Sequence, residues 1–290
     1  MTYSMNVYQG CEHGCVYCYA RNSHEYWGYS AGLDFERKIL VKHNAPILLE
    51  NHLSKKSWKA QTIVMSGNTD CYQPVEKKLR ITRKCLEVFL NCRHPVGIIT
   101  KNSLILRDLD LLKQLAKYNL IAVNISITTL SEETRRILEP RTTAIKRRLM
   151  VIRELTDCGI PVNVMLAPII PSINSHEILP MARAVSEAGA LGIGHTIVRL
   201  NGAIGEIFKD WIKMTMPARA DKVLNQIAEC HGGKLNDNRF GTRMRGEGKI
   251  AQQINDLMKL ATLKYFNGKF MPELDTSFHQ NHKTNQLRLF

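Results

Sequence analysis

NVYQGCEHGCVYCYAR, residues 6–21, packs Cys11, Cys15 and Cys18 into eight positions with the spacing C-x3-C-x2-C. The start of the chain, MTYSMNVYQG, lacks the charged-then-apolar plan of a signal peptide. Thiols crowded this closely in a reducing compartment read as a metal or redox site rather than a disulfide framework. Three readings compete. A structural zinc site wants four ligands, commonly from two C-x2-C pairs, so His13 or His24 would have to complete it. A disulfide leaves one thiol over. An iron–sulfur cube held by three cysteines leaves one iron open to a small molecule.

Downstream of the triplet, short apolar strands alternate with amphipathic helices. QTIVMS (61–66) reads as a strand leading into the polar turn GNTD, and residues 76–92 place Leu79, Leu86, Phe89 and Leu90 at helical spacing. VGIIT (96–100) precedes the helix RDLDLLKQLAKY, and AVNISIT (122–128) alternates Val123, Ile125 and Ile127 with Asn124, Ser126 and Thr128. Ser131 opens a helix over SEETRRIL, and a second helix carrying Ile145, Leu149, Ile152 and Leu155 ends at Gly159. PVNVMLAPII (161–170) and GHTIVRL (194–200) complete the set, with a helix between them. Counting a short strand at Tyr3–Gln9, this gives six βα repeats, which predict a parallel sheet with right-handed crossovers. Six units are too few for a closed eightfold barrel. The expectation is an α/β fold, an open partial (β/α)6 barrel over residues 1–200. If Val123, Ile125 and Ile127 face the helices, Asn124, Ser126 and Thr128 face a polar lumen suited to a ligand. A helical C-terminal extension is expected over 201–275 and a mobile polar tail over 276–290.

With 290 residues, 44% of them hydrophobic and 23% charged, the chain has an ordinary globular composition. No apolar run approaches the roughly 20 residues of a membrane span, and the expected location is the cytoplasm. Forty Lys+Arg against 26 Asp+Glu leave a net charge of +14, which favours a polyanionic partner, nucleic acid above all.

The triplet, with the aromatic Tyr17 before its third cysteine and six βα units behind it, resembles the signature of the radical S-adenosylmethionine (SAM) enzymes. The resemblance implies that Cys11, Cys15 and Cys18 each ligate one iron of a 4Fe–4S cluster, while SAM chelates the fourth. An electron from an external donor then cleaves SAM to methionine and a 5′-deoxyadenosyl radical that abstracts hydrogen. Within that superfamily, roughly residues 3–200 resemble spore photoproduct lyase and its uncharacterised bacterial relatives. That likeness implies SAM contacts from the turn SGNTD (66–70), with Gly67 allowing close approach and Ser66 and Thr69 accepting from the ammonium. It also implies that Lys101 pairs with the SAM carboxylate, that Ser126 faces the ribose, and that Tyr17 stacks near the adenine or supports the cysteine loop. Arg141, in EPRTT (139–143), is expected to grip a carboxylate or phosphate. The lyases return a hydrogen atom from a cysteine whose place Gly67 takes here, so the expected hydrogen donor is Cys71, four residues on.

Two further stretches bear on the substrate. RFGTRMRGEGK (239–249) sets Arg239, Arg243, Arg245 and Lys249 among glycines, a composition suited to phosphate. Tyr26, Trp27 and Tyr29 are candidates for stacking on a base. The terminal Gln286, Leu287, Leu289 and Phe290 resemble the Q-L-x-L-F peptide by which bacterial DNA repair and replication proteins dock on the sliding clamp. The expected substrate is therefore a nucleic acid, DNA foremost, with lesion repair as the lyase-like reaction. Radical chemistry on RNA, a peptide or a metabolite is the alternative, and so is a zinc-stabilised, non-catalytic nucleic-acid module.

Overall fold

A computed structural model describes residues 3–239 and 241–279. Six strands form one parallel sheet in sequential order: β1 (Tyr3–Met5), β2 (Ile63–Met65), β3 (Val96–Thr100), β4 (Ile121–Ser126), β5 (Val162–Ile169) and β6 (Gly192–Ile197). β1 pairs with β2 and β6 with β5, and the two edge strands do not pair with each other, so the barrel is open. The strand expected over Tyr3–Gln9 is split. After β1 the chain turns at Asn6, whose side chain accepts the backbone N–H groups of Asn68 and Thr69. Tyr8–Gln9 then joins Leu40–Val41 in a separate antiparallel ribbon.

Helices α1 (Ala45–Leu53), α2 (Ile81–Asn91), α3 (Leu109–Lys117), α4 (Glu132–Leu138), α5 (Ile145–Asp157) and α6 (Ile178–Glu187) supply the crossovers. α3 buries Leu111, Leu112 and Leu115 on one stripe, and α4 begins where the Ser131 hydroxyl accepts the Thr134 N–H at 3.1 Å. Strand alternation decides what faces the helices. Val123, Ile125 and Ile127 are at most 1% exposed, as are Val162, Val164 and Leu166 on the next strand. On the other face, register aligns Ile99, Asn124, Asn163 and Gly192 in one row across the lumen. Asn163 there donates to the Asn124 side-chain oxygen at 2.8 Å.

Beyond β6 come α7 (Ala203–Thr215), α8 (Ala220–Glu229) and α9 (Gly248–Tyr265). Ala251, Ile254, Met258 and Ala261 line one face of α9 and join the same apolar core as the sheet. Among the described residues no helix is long and apolar enough to cross a membrane.

The stretch after α9 is bonded to the barrel as far as His279, which takes in the four described residues of the tail expected from Thr276. Lys269 donates to the Ser186 carbonyl at 3.2 Å, and the Asn119 carbonyl accepts the Asp275 N–H at 3.0 Å. Phe278 stacks edge-on against Tyr118, and His279 donates to the Cys92 carbonyl at 3.1 Å while its ring meets that of His94. These partners sit at or near the N-terminal ends of β3, β4 and β6, so the segment straps the lower rim of the open barrel. Gln286, Leu287, Leu289 and Phe290 lie outside the described residues.

Two outcomes are expected. Ile125→Ala, on the helix-facing side, should lower unfolding free energy by about 2–4 kcal/mol, whereas Asn124→Ala, one residue earlier, should cost roughly 1 kcal/mol, as read by urea denaturation. His94 is buried and uncharged: it accepts from Trp58 Nε1 at 3.1 Å and donates to the Pro95 carbonyl at 3.0 Å. Burial, reinforced by His279 and opposed by the Pro95 bond, lowers its pKa to about 4. Between that value and the ordinary one near 6.5 the unfolded chain binds more protons than the folded one. Stability should therefore fall by about 2–3 kcal/mol as pH drops through this window, and His94→Gln should flatten the dependence.

Candidate active site

The cysteine loop crosses the C-terminal end of the sheet, where open α/β folds bind their ligands. Two glycines let it approach its neighbours. Gly10 has φ +82°, and a Cβ there would lie 2.9 Å from the Phe35 carbonyl; Gly14 has φ +68°, and a Cβ there would overlap the Arg141 guanidinium. Backbone groups of the loop bond outward. Cys11 N–H donates to the Phe35 carbonyl at 2.8 Å and Val16 N–H to the Leu138 carbonyl at 3.0 Å, while Arg21 Nε reaches the Cys15 carbonyl at 3.0 Å.

After β2 the chain makes the turn Ser66–Asp70. Ser66 adopts φ +75°, and its hydroxyl accepts the Cys71 N–H at 2.7 Å, which holds it there. Thr69 gives its hydroxyl hydrogen to the Tyr8 carbonyl at 2.7 Å, leaving its oxygen to accept. Asp70 is the hub of this end of the site. Its carboxylate accepts the Thr100 hydroxyl, the Lys101 N–H and the Tyr72 N–H, each at 2.8 Å, and lies 3.4 Å from His13 Nδ1. One side chain thus ties β2, β3 and the cysteine loop together.

These elements enclose a cavity of about 460 Å³. Cys11, Cys15, Cys18 and Tyr17 line it, with Ser66, Gly67, Thr69, Lys101 and Ser126. The structure therefore gathers the three thiols and all but two of the other expected site residues around one space. The two exceptions are Cys71 and Arg141. Cys71 is 1% exposed and belongs to the apolar core rather than the cavity wall, because Ser66 and Thr82 fix its backbone behind the turn. Arg141 also lies off the wall: it bonds the Glu12 carbonyl and pairs with the Glu36 carboxylate, bracing the loop from outside.

Tyr17 supports the loop directly. Its hydroxyl donates to the Glu139 carboxylate and lies 3.2 Å from Thr128 Oγ1. Glu139 is fully buried and pairs with Arg148 at 2.6 Å. Burial alone would raise its pKa, but Arg148, then Lys101 and the hydrogen bonds from Thr128 and Tyr17, hold the carboxyl down at about 2. Asp70, Glu139, His13, Tyr19 and Arg199 were not singled out by sequence for the roles seen here. Tyr19 donates to the Gly67 carbonyl at 2.5 Å. Arg199, at the end of β6, lines the cavity with its guanidinium 6.0 Å from the Tyr19 ring.

The thiols fit an iron–sulfur cluster better than a single metal ion. None is in a disulfide. Burial raises all three, Cys11 to about 12, a cost that a cationic centre bound by the sulfurs would offset. Among the described residues no three His, Cys, Asp or Glu side chains converge as one ion would require. His13 faces Asp70 and Asn102, and His24 packs between Tyr29 and Phe35, so neither completes the zinc set considered above. Three sulfurs along a cavity wall match a cube with one open corner.

A protein-family model described as the Radical SAM superfamily matches residues 5–185. An uncharacterised protein of Mycobacterium bovis is 30% identical over 217 residues, which cover 74% of this chain and 64% of that relative. The chain thus spans less than two thirds of the relative's length. Among solved structures, a cysteine-to-serine mutant of spore photoproduct lyase has a TM-score of 0.67 at 15% identity, over 92% of this chain and 74% of that one. A double mutant of the same lyase with bound AdoMet and dinucleoside spore photoproduct gives 0.65 at 14% identity, over 91% and 74%. At these identities the two structures show that the fold is shared.

Asp70→Asn turns one of the acceptor atoms into a donor that faces N–H groups. It should lower the unfolding free energy of the metal-free protein by about 2–3 kcal/mol in urea, and the reconstituted protein should lose iron faster on gel filtration.

Proposed function

The chain belongs to the radical SAM superfamily, and from that membership we propose that Cys11, Cys15 and Cys18 hold a 4Fe–4S cluster in an enzyme that acts on nucleic acid. The superfamily uses this cluster together with SAM. When bound, the two supply a radical that abstracts hydrogen, fed by an external electron donor. One observation carries the reading: the three thiols, the Ser66–Asp70 turn, Lys101 and Ser126 share one cavity.

The side chains divide the work of holding SAM. Lys101 has no carboxylate partner among the described residues and presents its ammonium to the SAM carboxylate. Thr69 keeps an acceptor oxygen for the SAM ammonium, and Gly67 lets the turn approach. Ser126, 4% exposed at the end of β4, faces the ribose. Apolar wall from Ile99, Met165, Pro168, Ile197 and Val198 keeps water from the reacting centre.

Basic charge at the cavity supports a polyanionic substrate. Burial lowers the pKa of Arg199, and Arg243 lowers it further, so an anion bound at Arg199 would offset both effects. The loop carrying Arg243 and Met244 is bonded to the end of β6 through Ile197 N–H and the Met244 carbonyl at 3.0 Å, and Met244 itself lines the cavity. Arg239, by contrast, is spent on Asp237 and Glu247. Tyr26 and Trp27, 91% and 54% exposed just past the cysteine loop, would stack on an extruded base. A dinucleoside lesion in the lyase neighbour makes damaged DNA the leading substrate. With Cys71 in the core, the lyases' route for returning hydrogen is not part of the proposal.

Anaerobic reconstitution with iron and sulfide, reduction and addition of SAM should yield 5′-deoxyadenosine. Replacing Cys11, Cys15 and Cys18 by alanine should abolish it. Zinc bound without iron or sulfide would overturn the enzyme reading. Binding to lesion-bearing and undamaged oligonucleotides over a salt series tests the substrate class. Affinity should fall steeply with salt and weaken in Arg199→Ala, and salt-independent or absent binding would turn the search to peptides and metabolites.

A further inference from the structure

We propose that the buried Glu139–Arg148 pair is a positioning device that locks the cysteine loop against Ser126, and through them sets the cluster's reduction potential and the affinity for SAM. The inference rests on the superfamily's cofactors and not on the choice of substrate.

The segment Leu138–Arg141 meets the cysteine loop at four places between the ligands. The Leu138 carbonyl accepts the Val16 N–H at 3.0 Å, and the Arg141 N–H donates to the His13 carbonyl at 3.3 Å. Glu139 takes the Tyr17 hydroxyl, and Arg141 Nε donates to the Glu12 carbonyl. On its other side Glu139 accepts the Thr128 hydroxyl at 2.6 Å, just past β4. Arg148 spreads its donors over the same region: the Ser126 carbonyl at 2.9 Å, the Thr143 carbonyl at 2.7 Å, the Thr142 hydroxyl and Glu139 itself. Thr143 in turn accepts the Ser103 N–H at 3.0 Å, which carries the contact to the segment after β3.

Both charges are at most 1% exposed, and neither side chain lines the cavity. An ion pair withdrawn this far from water is no more stabilising than well-packed apolar side chains of the same volume. What apolar side chains cannot do is hold Tyr17, Thr128, Ser126 and Thr142 at fixed angles at once. The pair therefore acts through the groups it holds. It acts through its charge as well, because the Glu139 carboxylate takes the hydroxyl of Tyr17, the residue that directly precedes Cys18 in the cysteine loop. Negative charge beside a cluster favours the oxidised state and keeps the potential low.

The test uses full-length protein, reconstituted anaerobically, with no nucleic acid present. Midpoint potential is read by a redox titration followed by electron paramagnetic resonance, and SAM affinity by the change SAM causes in the reduced cluster's spectrum. Glu139→Gln keeps the shape and removes the charge: iron and sulfide content should stay native, the potential should rise, and SAM should bind about tenfold more weakly. Arg148→Lys keeps the charge but cannot reach Ser126, Thr143 and Glu139 together, so SAM affinity should fall about tenfold with little change in potential. In Glu139→Gln/Arg148→Gln the potential should return toward native while SAM binding stays weak. Native SAM affinity in loaded Glu139→Gln and Arg148→Lys would overturn the proposal. So would failure of all three variants to fold, which would make the pair a folding element. Because no substrate enters, a wrong substrate class leaves these readouts untouched.

Discussion

A segment without a regular hydrogen-bond ladder has to hold three thiols in place, and every backbone group it buries needs a partner from elsewhere. Cys11 finds Phe35, Val16 finds Leu138 and His13 finds Arg141, while Gln73 takes the Glu12 N–H and donates to the Gly10 carbonyl. The partners come from three separate parts of the chain, so the loop is rigid only once the barrel has assembled around it. Its glycines make such close contact possible. A Cβ at Gly10 or Gly14 would displace the very groups that satisfy or brace the loop. Fold and site are thus coupled through the loop's unmet hydrogen bonds, more than through the sulfur atoms.

Two carboxylates carry this coupling, one at each end. Asp70 joins the loop to β2 and β3, and Glu139 joins it to the end of β4 and to α5. Each is consumed by its donors. The cations facing the cavity, Lys101 and Arg199, are left without carboxylate partners among the described residues. The spending of acids on structure and of bases on the cavity gives the site its anion-seeking character.

The barrel was legible because period-two alternation over 122–128 is a local property, set by which face each side chain occupies. The thiol triplet was legible because its spacing lies within eight residues. What escaped depends on direction in space. Cys71 directly follows the cavity residue Asp70 and Arg141 lies two residues after Glu139, yet one is packed in the core and the other pairs outward with Glu36. Asp70 and Glu139 lie in SGNTD and EPRTT, but their worth comes from partners 30 and more residues away, such as Thr100 and Tyr17. The end of the strap, from Thr276, read as a tail for the same reason. Its composition carries no mark of Tyr118 or Cys92, which Phe278 and His279 meet.

That strap also bears on how an open barrel can confine reactive chemistry. A sheet whose edge strands do not meet has a lumen accessible from below as well as from above. Here Asn124 and Asn163 bond to each other across the lumen floor, and Gly192 beside them has Met271 of the strap nearby, 3.9 Å from where its Cβ would lie. A larger residue at 192 would also press on the Asn163 side chain, which a Cβ would approach to 2.9 Å. The glycine is therefore what lets the floor pack closely. With the lower rim strapped from β6 to β3, the cavity at the C-terminal strand ends becomes the working entrance, and it is there that the thiols, Lys101 and Arg199 are gathered.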